Sequence, residues 1–186
     1  MFSELLGPLR LIKDQLSFSL NWTDNEILYM DGVVRLKEKQ ELIHSFNDAN
    51  CQAKILLAST KACSEGISLV RASRVVLLDV VWNPSVERQA VSRAYRIRQK
   101  RVVYTYHLLT EGTTEHLKYF KQAEKDRLSE LVFSDKHIDN DESKSCAVDF
   151  DDKVLDLMLQ HEKLKDMFVK RVVKPKERDF VESFGY

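Results

Sequence analysis

Three short runs, Glu26 to Met30, Lys54 to Ala58 and Arg74 to Asp79, are apolar at consecutive positions rather than at alternate ones. A strand that is apolar on both faces leaves no side for water, so it belongs inside a parallel sheet covered by helices on each face. The segments between the runs supply those helices. Leu9, Ile12, Leu16 and Leu20 recur at helical spacing, and Leu36, Ile43 and Phe46 do so across Arg35 to Phe46. Asp31-Gly32 and Asn47 to Asn50 carry turn chemistry. Asn83 is a good N-cap ahead of Pro84 at the first helical position, which predicts a helix from there to about Ile97. Val102 to Leu109, β-branched and aromatic, predicts a fourth strand. Thr113 then caps a helix carrying Leu117, Phe120, Leu128 and Leu131. Met1-Phe2-Ser3 precedes the first helix. This alternation of strand and helix is the α/β pattern.

Composition removes several classes. The longest apolar stretch, Val75 to Trp82, is broken by Asp79 and falls well short of the roughly 20 residues of a membrane span. Glu4 and Arg10 interrupt Phe2 to Ile12, and no small-residue cleavage site follows a basic start, so no secretory signal is read. Cys51, Cys63 and Cys146 are odd in number and scattered, which fits a reducing compartment, and no metal-ligand spacing is present, so no metal site is expected. Lysines and arginines number 29, as do aspartates and glutamates. That balance conceals segregation. Arg88, Arg93, Arg96, Arg98, Lys100 and Arg101 face the single acid Glu87, whereas 135–152 is strongly acidic. Three parts are expected: a sheet domain over 1–133, an acidic linker over 134–152, and a C-terminal helical extension over 153–186. The extension carries a helix from Val154 to Phe168, with Val154, Leu157, Met158, Leu164 and Phe168 along one stripe.

The chemistry lies between Ser59 and Arg101. In the predicted helix, Gln89, Arg93 and Arg96 stand at offsets of four and seven and share a face, while Ala90, Val91 and Ala94 lie toward the packed side. Arginine binds phosphate oxygens bidentately and keeps its charge in a dry site. Taken alone, such a helix is a solvated basic face. The order of three segments changes that reading: STKACSEGISL (59–69), VVLLDVVWNP (75–84) and QAVSRAYRIRQ (89–99). Together they resemble the second RecA-like lobe of Swi/Snf-type DNA translocases, and YMDG (29–32) before a helix ending in SFN (45–47) is similar to that family too. Cys-x-Glu-Gly at 63–66 and LLDVVWNPSVERQA at 77–90 are similar to the plant CLASSY branch, whose members take part in RNA-directed DNA methylation. The resemblance covers about residues 2 to 134.

It implies a RecA-like three-layer α/β/α parallel sheet with a helical C-terminal extension. It also implies that Arg93 and Arg96 are catalytic arginine fingers reaching an ATP held by another lobe, with Gln89 and Gly66 at the nucleotide. Ser59, Thr60, Lys61 and Trp82 would meet the phosphates of double-stranded DNA, positioning the duplex without reading its sequence. A finger of this kind is worth about 10³ to 10⁵ in rate, or roughly 4 to 7 kcal/mol. ATP and magnesium are ligands only together with a first RecA-like lobe, and none is expected for the isolated chain. The implied partners are that lobe, duplex DNA and the proteins of a chromatin or silencing RNA polymerase complex, in the nucleus. These 186 residues contain no GxxxxGK[ST] phosphate loop and no Asp-Glu pair at a strand end, so the chain amounts to half of an ATP hydrolase.

Three departures from the family pattern carry physical weight. The family has an apolar strand before the first helix, whereas only Met1-Phe2-Ser3 stands there, and a sheet lacking an inner strand leaves backbone groups unpaired. Cys63-Ser64 replaces paired glycines, and Arg98 replaces a glycine, at a cost of about 1 kcal/mol or more if its backbone is left-handed. Asp79 reads as a hydrogen-bonded structural carboxylate, and Trp82 has core packing as its alternative to DNA contact. Two rival functions stay open. One is a non-catalytic protein-interaction module of a chromatin silencing complex that keeps the fold. The other is an unrelated nucleotide-binding α/β domain.

Overall fold

The computed structural model describes residues 1–63, 66–133 and 152–169. Five parallel strands form one sheet: β1 (Phe2–Ser3), β2 (Ile27–Met30), β3 (Ile55–Ser59), β4 (Arg74–Leu77) and β5 (Tyr104–His107). Their order is β2-β3-β1-β4-β5. The helices are α1 (Leu6–Leu20), α2 (Leu36–Asn47), α3 (Pro84–Ser92), α4 (Thr114–Phe133) and α5 (Lys153–Gln160). The chain divides into two compact units, Met1–Ser134 and Asp135–Tyr186. The acidic segment lies outside the described residues up to 151. None of the helices among the described residues is long and apolar enough to cross a membrane.

The doubly apolar strands do what their sequence requires. Alternate residues go to opposite faces of a strand, and here both faces have a core. Leu28, Met30, Leu56, Ala58, Val75 and Leu77 pack with Phe46, Ala90 and Ala94 on the side of α2 and α3. Ile27, Leu57 and the partly buried Tyr29 and Ile55 pack with Leu9, Ile12 and Leu16 of α1 on the other. This is the three-layer α/β/α arrangement.

The residues ahead of α1 form a strand after all. β1 is only two residues long, yet it occupies the middle of the sheet, because Phe2 pairs with both Ala58 and Leu77. Its backbone is used on both sides: the N–H groups of Ala58 and Thr60 donate to the carbonyls of Met1 and Ser3, and that of Leu78 donates to Phe2, each at 3.0 Å. Asp79 fastens the strand end. Its Oδ2 accepts from the Ser3 hydroxyl at 2.8 Å and from the Glu4 N–H at 2.7 Å, which is the structural role expected of it.

Two expectations need correction. The helix begun by Asn83, whose Oδ1 accepts from the Ser85 N–H at 3.0 Å, ends at Ser92 rather than near Ile97. The final helix stops at Gln160, where His161 takes an extended backbone and its Nδ1 accepts from the Lys163 N–H; a short 3₁₀ turn follows at Lys165–Met167.

Removing the Asp79 clamp leaves the Glu4 N–H and the Ser3 hydroxyl without their carboxylate. Asp79→Ala is therefore expected to lower stability by about 1.5–3 kcal/mol, measured by urea unfolding. Asp79→Asn keeps an acceptor oxygen and should lose less. A pH effect comes from Glu26, whose carboxyl is held below its ordinary value of 4.5 by Lys54 and by the Thr23 N–H. The Nζ of Lys54 lies 2.5 Å from Glu26 Oε1. Stability from this contact is fully present above the unfolded value and is lost as the pH falls through the lower folded value. Acid titration of Glu26→Gln is expected to show a shallower loss than the natural chain.

Candidate functional site

All strands run in the same direction, so the loops after them share one edge of the sheet. β3 ends there in Ser59, and β4 leads there to Trp82. Of the residues assigned to DNA at this edge, Ser59 and Thr60 are buried, at 3% and 7% exposure. Ser59 Oγ accepts from the Ala62 N–H at 3.2 Å and so shapes the 3₁₀ turn at Lys61–Cys63, and the Thr60 N–H is spent on Ser3. Lys61, beside them, is exposed. Trp82 is 57% exposed, so core packing does not account for it. The ammonium of Lys125 on α4 stands 4.7 Å from its ring centroid, a cation–π contact that covers one face.

The arginines lie beyond the end of α3. Because the helix ends at Ser92, Gln89, Arg93 and Arg96 do not share one helical face, and the helical-face argument fails for Arg96. A turn replaces it. The Arg93 N–H donates to Ala90, the Ala94 and Tyr95 N–H groups to Val91, and the Gln99 N–H to Arg96 at 2.7 Å. Arg93 is buried, at 8% exposure, whereas Arg96 is partly exposed and Gln89 exposed. The Gln89 carbonyl accepts from the Ser92 hydroxyl at 2.7 Å.

What holds this turn is Gln99, a residue quoted within the motif but given no role in the sequence reading. The two hydrogens of its Nε2 are shared among the carbonyls of Val70, Ala72 and Ala94 at 2.9, 2.8 and 3.2 Å, and its Oε1 accepts from the Arg101 N–H at 3.0 Å. The Leu69 N–H adds a bond to the Arg93 carbonyl at 2.8 Å. The irregular stretch after Gly66 is thereby tied to the arginine turn. On its other side Asn47 grips the same stretch, donating to Ser68 at 2.8 Å and accepting from the Arg71 N–H at 3.4 Å. Arg71 reaches back to the carbonyls of Phe46 and Cys51 at 3.1 and 2.9 Å. A groove of about 820 Å³ lies between α2 and this stretch, lined by Leu36, Lys39, Ile43, Asn47, Gly66 and Ser68 among others.

Gly66 is exposed, and a Cβ placed there would meet nothing within 4 Å, so no close approach within this chain requires the glycine. Arg98 carries no left-handed penalty, since Asn21 is the sole non-glycine residue with positive φ among the described residues. Ser64 lies outside them. Cys51, which the sequence left unassigned, has its thiol pKa lowered by the Ala53 N–H, with the Ser45 hydroxyl and Arg71 adding to the effect.

The sheet order and the fastened arginine turn define a RecA-like lobe of the helicase C-terminal kind, and the helicase conserved C-terminal domain matches residues 10–98. A solved structure, the C-terminal part of the Fun30 ATPase domain, aligns with a TM-score of 0.58 at 32% identity, over 64% of this chain and 37% of that one. The chain belongs to the Swi/Snf family as a second, C-terminal lobe. It is 58% identical to SNF2 domain-containing protein CLASSY 3 of Arabidopsis thaliana over 100% of its length, and 52% identical to CLASSY 4 of the same plant over 99%. It spans 13% and 16% of those two relatives.

Gln99 is expected to be the most sensitive polar residue of the turn. Gln99→Ala leaves carbonyls without donors, and about 2–4 kcal/mol should be lost at about 1–3 kcal/mol per unsatisfied group. Gln99→Glu is nearly isosteric but turns an acceptor toward those carbonyls, so it should cost at least as much. Urea unfolding of both variants separates lost volume from lost hydrogen bonding.

Proposed function

We propose that this chain works as the second ATPase lobe of a Swi/Snf-like DNA translocase, completing a nucleotide site whose phosphate cradle and magnesium belong to a first lobe. The observation that carries this reading is the fastening of the arginine turn to the stretch after Gly66, through Gln99 and through the Leu69 N–H to the Arg93 carbonyl. A finger stabilises transferring phosphoryl charge only if its backbone is fixed before the nucleotide arrives. The turn draws fixity from the carboxamide of Gln99 and from the Leu69 N–H. Partly exposed Arg96 is assigned the reach to the phosphates, and buried Arg93 the inner position beside it. Gln89 and Gly66 flank the nucleotide, and Gly66 leaves room for the opposite lobe.

On this reading Lys61 supplies the charged contact to duplex DNA, Trp82 borders the track, and Ser59 and Thr60 set the loop that carries them. Likeness to the CLASSY proteins extends the proposal to RNA-directed DNA methylation and gene silencing in the nucleus, with a silencing RNA polymerase complex as the assembly served. The 186 residues hold no phosphate loop, so hydrolysis is assigned to the joined lobes and not to this chain alone.

The test is made in a full-length parent that contains both lobes. Arg96→Ala is expected to lower DNA-stimulated ATPase activity by about 10³-fold or more, with duplex binding retained. Arg93→Ala should lower it too, with some loss of stability because the side chain is buried. Unchanged ATPase activity in both variants would favour the non-catalytic interaction module.

A further inference from the structure

The nucleotide reading leaves a set of cations unused. From Arg88 to Thr110 the chain has no aspartate or glutamate, and Gly66 to Leu78 has none either. The fold lays these two acid-free stretches side by side, ahead of β4 and β5. Arg74 stands opposite Tyr104 in the strand register, and the Tyr104 N–H donates to the Ser73 carbonyl at 2.9 Å. Gln99 bonds to Val70 and Ala72, and the Arg101 guanidinium donates to the Arg71 carbonyl. Arg74, Arg98, Lys100 and Arg101 are all exposed, and they share the edge of the sheet at which β4 and β5 begin. Lys61 follows the end of β3 and therefore belongs to the opposite edge, roughly 13 Å away across a four-residue strand.

Like charges gathered on one edge repel, and carbonyl and carboxamide bonds of Gln99 and Arg101 hold the backbone that carries Arg98, Lys100 and Arg101 there. The one acid in the neighbouring 47–53 loop, Asp48, turns its carboxylate back to the Asn50 N–H at 2.9 Å. The Arg74 guanidinium lies 5.3 Å from the Tyr104 ring centroid, which covers one face of that ring. A ridge of exposed cations suits the regularly spaced phosphates of a duplex.

We infer that the starting edge of β4 and β5 is a second contact surface for the phosphate backbone of duplex DNA, built from Arg74, Arg98, Lys100 and Arg101 and independent of sequence. It lies apart from the Lys61 contact and does not depend on it.

The full chain tests this with a labelled duplex of about 30 base pairs, followed by fluorescence anisotropy over a salt series. Arg98→Ala with Lys100→Ala removes two cations that take no part in the bonds fastening the turn. Two lost phosphate contacts should lower the slope of log affinity against log salt by about 1.8 and weaken binding at least about tenfold near 0.1 M salt. Melting should not change; Arg98→Gln with Lys100→Gln keeps the side-chain bulk if the alanine pair melts lower. Lys61→Ala reports separately on the opposite edge, so failure there leaves the double variant's loss intact. Duplex affinity and slope equal to the natural chain, or no duplex binding by the natural chain, would overturn the inference. It would equally be overturned by a loss confined to single-stranded RNA or to an acidic peptide.

Discussion

The carboxamide of Gln99 is the contact on which the functional half of this lobe depends. The stretch from Gly66 to Ser73 and the turn from Arg93 to Gln99 are both irregular, and irregular backbone held against a fold needs partners that no ladder provides. Gln99 supplies them to both at once, with donors to Val70, Ala72 and Ala94 and an acceptor for Arg101. A charged side chain could have made some of these bonds, but a carboxylate would have drawn the surrounding arginines onto itself. A neutral amide fixes the backbone and leaves the guanidinium groups to other partners.

The sheet rests on a comparably economical device. Two residues of β1 sit between β3 and β4, and their carbonyls and the Asp79 carboxylate align the ends of three strands. Loops leaving that edge carry Lys61 and Trp82, while loops entering the opposite edge carry the cations ahead of β4 and β5. A parallel sheet thus gives one small lobe two separate edges on which loops gather, one at each end of its strands.

Much of the architecture was legible in the residues. Unbroken apolar runs at Ile27–Met30, Ile55–Ala58 and Val75–Leu78 demanded cores on both faces, and Asn83-Pro84 marked a helix start that the Asn83 side chain caps. Two residues were too few to show β1 as a strand, because its place comes from pairing with segments more than fifty residues away. The end of α3 was equally hidden. Residues 93 to 97 have helical composition, and the helix stops because Gln99 and Leu69 bind the chain in another path.

The order of the motif segments and the identity of the arginines were determined by the amino-acid sequence, because they are properties of the chain read in one direction. Which cations are buried, which are presented and which edge they occupy was decided only in three dimensions. Arg93 and Arg96 differ by three residues and in burial, and Ser59 and Lys61 differ by two and in access. The physical reason is that exposure and partnership depend on what packs across a strand or around a turn, and hydrogen bonds such as those of Gln99 join residues that no local pattern connects.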